Sequence, residues 1–259
     1  MSNYLSVFSL FIKRSFGKIS AVILAFISIE GVLFIHNLTT DNVIKNEYQE
    51  GTGNDYLLGI ENILGDHRLL TIALASAFII VTLILCLTGC EFSDKQGYTL
   101  RRLNITEKKT FICQSLYGTA VYGIFFMLQG LLFYIFCLIY VNYAKGNEYA
   151  FDGLISNQSV FLAFYRSKIL HALIPMEDTF KYISNFVMIC SMGVSTASFS
   201  YFMRRKKFPY ETVLLVPVIL INFASEWTEM SYELIIIGMS TFVIGSILTR
   251  ISVEGQAYD

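Results

Sequence analysis

Apolar and polar positions alternate along this chain on the scale of whole helices rather than single turns. Residues 69–90 and 110–144 carry no charge at all, and further apolar runs follow residue 19, residue 180, residue 212 and residue 232. About 20 apolar residues rising 1.5 Å each cross a ~30 Å hydrocarbon core, so runs of this length predict membrane-spanning helices. Six spans are predicted, near 19–36, 69–90, 112–141, 180–202, 212–227 and 232–250. The third run is longer than a bilayer needs and must tilt or end in an interfacial turn. The fifth is the shortest and contains Pro217; with the sixth it predicts a tight hairpin capped by Glu226, Trp227, Thr228 and Glu229. Before the first span, Leu5, Phe8, Phe11, Ile12 and Phe16 recur at helical spacing, followed by Lys13, Arg14 and Lys18. That pattern predicts an amphipathic interfacial helix over residues 1–18 and a six-span domain over 19–259. The fold class expected is all-α and polytopic.

Composition agrees. Of 259 residues 54% are hydrophobic and only 15% charged, where a soluble domain carries about 25%; the mean hydropathy is +0.56. The distribution of Lys and Arg then sets the orientation, because basic residues are retained on the cytosolic side. With the N-terminus inside, thirteen of the nineteen basic residues are cytosolic, among them Lys95, Arg101, Arg102, Lys108, Lys109, Arg204, Arg205, Lys206, Lys207 and Arg250. The loops 37–68 and 142–179 are then external and carry many of the acids; partial helical structure is expected in them. A net charge of −1 suggests no nucleic-acid partner.

Catalytic motifs are absent. The chain has no Gly-x-x-x-x-Gly-Lys-Ser/Thr phosphate loop, no His-Glu-x-x-His and no Gly-x-Ser-x-Gly. The expectation is therefore that the chain is not an enzyme and holds no cofactor or metal. Its five cysteines form no Cys-x-x-Cys pair and read as buried thiols. Glu30 is the one acid well inside a predicted span. A mid-membrane charge costs roughly 2.5–3.5 kcal/mol on insertion scales, so it must face a polar partner, a wet path or the bundle interior. Two readings stand side by side: a substrate or proton contact, or a hydrogen-bonded packing residue. Gln129 and Asn185 pose the same choice in the third and fourth spans. The aromatic walls at Phe125, Phe126, Phe133, Tyr134 and Phe136 offer either a lateral binding surface or ordinary packing. The basic run Arg204–Lys207 reads as a topology anchor on anionic lipid.

The longest charged segment is 91–111, EFSDKQGYTLRRLNITEKKTF, between the second and third spans. Gly97 permits a turn, and residues 99–103 can form a short helix with Leu100 and Leu103 on one face. Asn104 and Thr106 can cap the next helix, with Glu107 in its first turn. The order Glu91, Gly97, Thr99-Leu100, Leu103, Lys108-Lys109 resembles the loop between spans two and three of ABC exporter permeases of the second type. The six-span layout and the N-terminal helix are similar too. Where that family often has Leu-Pro after the short helix, this chain has Leu103-Asn104. The resemblance implies a coupling helix over Gly97, Tyr98, Thr99, Leu100, Arg101, Arg102, Leu103 and Asn104 that docks on separate cytosolic ABC ATPase subunits, which bind ATP and Mg. It also implies a second permease subunit, identical or homologous, in a bacterial cytoplasmic membrane with both termini cytosolic. The length and loops are most similar to small permeases of peptide-export and antimicrobial-peptide immunity systems, including phenol-soluble-modulin exporters. A substrate path would include Glu30, Gln129 and Asn185. The rival reading is a membrane-embedded peptide sensor or immunity protein that transports nothing.

Overall fold

A computed structural model describes residues 2–39, 44–47, 54–57, 59–65, 68–90, 106–146, 157–175, 178–224 and 230–256. Helices dominate them: α1 (Ser2–Thr39), α2 (Ile60–Gly65), α3 (Arg68–Cys90), α4 (Glu107–Lys145), α5 (Asn157–Arg166), α6 (Lys168–Leu173), α7 (Thr179–Arg204), α8 (Tyr210–Val213), α9 (Leu215–Ala224) and α10 (Met230–Gln256). Two short strands, β1 (Ile44–Glu47) and β2 (Asn54–Leu57), pair antiparallel with Ile44 opposite Leu57. Five helices, α1, α3, α4, α7 and α10, are long and apolar enough to cross a membrane, which makes this a multi-pass membrane protein. The stretch Tyr210–Phe223, in the predicted fifth span, is a shorter apolar helix.

Proline placement explains the breaks. Pro175 follows α6, and Pro209 is the N-cap of α8. Pro217 has no N–H to bond the carbonyl of Val213, and its ring crowds that carbonyl. The helix divides at that point into α8 and α9, with Leu214 between them. None of the five long helices contains a proline, and all run unbroken. Residues 2–18 run without a break into the first predicted span as the first turns of α1, since a lone Gly17 does not end a helix, and Phe8 and Phe11 pack on Tyr117 of α4.

Between helices in lipid there is no hydrophobic driving force, so close packing and hydrogen bonds decide which helix lies inside. α7 is the central helix here. It packs on α3, α4 and α10, while α1 packs on α3 and α4. Its apolar window is the least hydropathic of the five and the most buried, 61% against 17% for α1. The cause is its run of small residues. Ser191, Thr196 and Ser198 return their hydroxyls to carbonyls of their own helix, which satisfies them without a partner on another helix. Gly193 lets α4 come against the backbone: a Cβ there would stand 2.5 Å from the amide nitrogen of Thr119 and 2.9 Å from the carbonyl of Ser115. Gly118 of α4 faces it: a Cβ there would stand 2.9 Å from the Thr196 hydroxyl oxygen and 3.2 Å from the Gly193 Cα. Ordinary burial accounts for the aromatic walls as well. Phe125, Phe133 and Phe136 are buried, with Phe136 stacked on Phe34 and edge-on to Phe133, and Phe125 tilted against Phe78, which favours the packing reading for these three, while Tyr134 is exposed.

The bundle has two unlike ends. At the basic end α1 and α4 begin and α3, α7 and α10 finish. At the acidic end the short helices of the two long loops meet: α2 packs on α5 and α6, α5 and α6 on α4, and α6 on α9. Ile60, Ile63, Leu64, Phe164, Ile169 and Leu170 form the buried underside of this cap.

Candidate functional site

The expected coupling residues Gly97, Tyr98, Thr99, Leu100, Arg101, Arg102, Leu103 and Asn104 lie outside the described residues, as does the hairpin cap Glu226–Glu229. What is described is the frame that holds the loop. Its entry, the last turn of α3, is gripped where Gly89 abuts Gln114 of α4 and Ser200 of α7. The Ser200 hydroxyl donates to the Gln114 amide oxygen at 2.6 Å. Its exit is the start of α4, with Thr106 as N-cap through its backbone alone and no side-chain cap bond. There Glu107 accepts from Arg205 at 2.9 Å, and the Arg205 guanidinium lies 4.3 Å over the ring of Tyr201. Arg205, read from the sequence as part of a lipid anchor, is thus tied to the loop's exit helix. It is held in place by the end of α7, where the Lys207 and Lys206 amides bond back to Phe202 and Met203. Lys206 takes φ 56° to close this turn, a left-handed position that glycine ordinarily fills.

A second ion pair at the same end was not visible in the sequence. Glu211 of α8 is fully buried and accepts from Arg250 Nη1 through both oxygens, at 2.9 and 3.1 Å. The Arg250 guanidinium lies 4.1 Å over Phe202 and 4.9 Å over Tyr210, and donates to the Phe208 carbonyl at 3.3 Å. The only available hint was two lone charges bounding apolar runs.

The expected path residues divide. Glu30 on α1 and Gln129 on α4 are brought face to face, both buried, and each is the other's polar neighbour, although the contact falls short of ordinary hydrogen-bond geometry. Asn185 is placed differently: its amide donates to the Ala172 carbonyl of α6 at 2.8 Å and so ties α7 to the cap, leaving its own oxygen unpaired. The antiparallel register set by Gly118–Gly193 and Gln114–Ser200 puts Gln129 level with the first turns of α7. At those turns lies a cluster the sequence reading missed. The Lys181 ammonium donates to Asn222 of α9 at 3.0 Å, with Glu233 of α10 and Asp178 as its neighbouring carboxylates. Asp178 also caps α7, accepting from the Phe180 amide at 3.0 Å. Lys181, Asn222 and Glu233 are all buried, and Asn222 Nδ2 and Glu233 Oε2 have no partner. The signal available was Lys181 itself, a charge one turn inside an apolar run. The result is a band of polar side chains beneath the cap, contributed by five helices.

Among the described residues no group of three or more His, Cys, Asp or Glu side chains is arranged to hold a metal. Cys86, Cys113, Cys137 and Cys190 are free thiols. No known protein family, curated protein or solved structure matches this chain.

Proposed function

We propose that this chain is the six-span permease subunit of an ATP-driven ABC exporter that moves amphipathic peptides or similar substrates out of a bacterial cell. The observation that carries the reading is the polar band at the level of Glu30. Ionisable side chains inside a membrane bundle are costly and rare, and they commonly mark a substrate or ion pathway. Glu30 and Gln129 face each other without ordinary hydrogen-bond geometry and Asn222 keeps an unpartnered amide nitrogen, so in this reading a passing peptide's amides would bond them. In this reading the short Tyr210–Phe223 helix is the fifth span, and the basic end faces the cytosol. The loop 91–105 meets the ATPase. It joins α3 and α4, which are locked to each other and to α7, so a push on it moves them together. The energy comes from the different contacts that ATP-bound and ATP-free partners make with the loop.

The test is charge reversal at Arg101 and Arg102 in the native host, with ABC ATPases captured on the tagged chain. Loss of ATPase pull-down together with loss of peptide export, at wild-type membrane levels, is the expected outcome. Persistence of both would sink the coupling assignment. A wild-type chain that neither captures an ATPase nor needs ATP would instead be a sensor or immunity protein.

A further inference from the structure

The proposed coupling through 91–105 moves α3 and α4, but the basic end links that loop to the last helix as well. Glu107 at the loop's exit holds Arg205; Arg205 lies on Tyr201, whose ring packs edge-on with Phe111 of α4 and with Phe202. Phe202 supports the guanidinium of Arg250, and Arg250 grips Glu211. Four helices, α4, α7, α8 and α10, are thus joined by one unbroken chain of ion pairs and ring contacts.

The inner link is the informative one. Burying a carboxylate with no exposed surface is expensive, and an apolar pair of similar volume would hold two helices together as well or better. What an apolar pair cannot do is fix direction. Arg250 Nη1 reaches both oxygens of the Glu211 carboxylate and the Phe208 carbonyl, and its guanidinium lies over the Phe202 and Tyr210 rings, so several directional contacts at once set its position on α8. Arg250 is also the only charge on α10 between Glu233 and Glu254, so the pair sets that helix's position at the basic end. The α8 turn it holds is set off from α9 near Pro217 and packs on α7 as well as α10.

Resting on the exporter reading, we infer that Glu211 and Arg250 form a relay that carries displacement of the loop into α10, so that the final span moves with α3 and α4. Both are positioning residues; neither touches substrate or nucleotide.

The test uses the permease–ATPase complex in proteoliposomes, with Glu211→Leu and Arg250→Met combined. This double variant keeps the packing and removes the directional link, so it is expected to fold. Thermal stability in detergent and ATPase pull-down should match wild type, while peptide export falls to about a tenth or less, within the usual range of coupling between sites. A charge-keeping variant, Arg250→Lys, which loses the two-oxygen grip, should fall between the two. Export at the wild-type rate in the double variant would overturn the relay while leaving the exporter reading intact. A wild-type complex that shows no ATP-dependent export would overturn both.

Discussion

The two ends of this bundle treat buried polar groups in opposite ways. At the basic end they are paired: Glu211 with Arg250, Gln114 with Ser200, and Ser15 with Tyr117, with the exposed Glu107 holding Arg205 at the rim. In the acidic half they are stranded: Glu30, Gln129, Asn185, Asn222 and Glu233 all retain buried atoms with no partner. Paired groups fix a geometry, whereas stranded ones raise the energy of the closed arrangement and lower the cost of any change that wets or binds them. One end is built to hold its shape and the other to give it up.

The comparison can be broken most forcefully at Glu211. Glu211→Ala leaves Arg250 beside an empty site and should destabilise the protein by about 3–5 kcal/mol, seen as an earlier midpoint of unfolding in mixed micelles. Gly193→Ala comes next. Its methyl meets the Thr119 hydroxyl and, just behind it, backbone that cannot yield, so forcing α4 off α7 should cost about 1–3 kcal/mol and lower the yield of monodisperse protein. In the acidic half the sign reverses: Glu30→Leu combined with Gln129→Leu removes four unsatisfied atoms and should raise the unfolding midpoint, by about 1–2 kcal/mol. A fall instead would show that the two side chains are satisfied in the membrane and that the ends do not differ. Glu107→Gln should have the smallest effect, about 0.2–1 kcal/mol, because Glu107 is more than half exposed; the difference should shrink further in high salt.

Much of the fold was legible in the hydropathy pattern, for a simple reason. A bilayer satisfies no backbone group, so each long apolar run must be a helix. The predicted runs 69–90, 112–141, 180–202 and 232–250 lie within α3, α4, α7 and α10. The hairpin β1–β2 was not legible, because Ile44–Glu47 and Asn54–Leu57 are short and mostly polar. Nor was the join between residues 1–18 and the first span, because amphipathic spacing reads the same whether the apolar face meets lipid or, as at Phe8 and Phe11, another helix. The site was legible only as single residues. Glu30, Gln129 and Asn185 stood out as polar positions in apolar runs, but which of them face each other depends on helix register, and that register is set by glycines such as Gly118 and Gly193. Lys181, Glu211 and Arg250 looked like boundary charges. Sequence cannot tell a charge that ends a span from one folded back into it.

The shortness of the Tyr210–Phe223 helix has a consequence for the surrounding lipid. Fourteen residues rise only about 21 Å, against a hydrocarbon core of ~30 Å. Val213, Val216 and Leu220 on this helix are turned outward. On the exporter reading, in which this helix is the fifth span, acyl chains beside it would have to shorten or tilt, while those beside the 39-residue α4 stand at full height. Two such flanks brought together would then share a single thinned patch, and the membrane itself would favour the pairing proposed for this subunit.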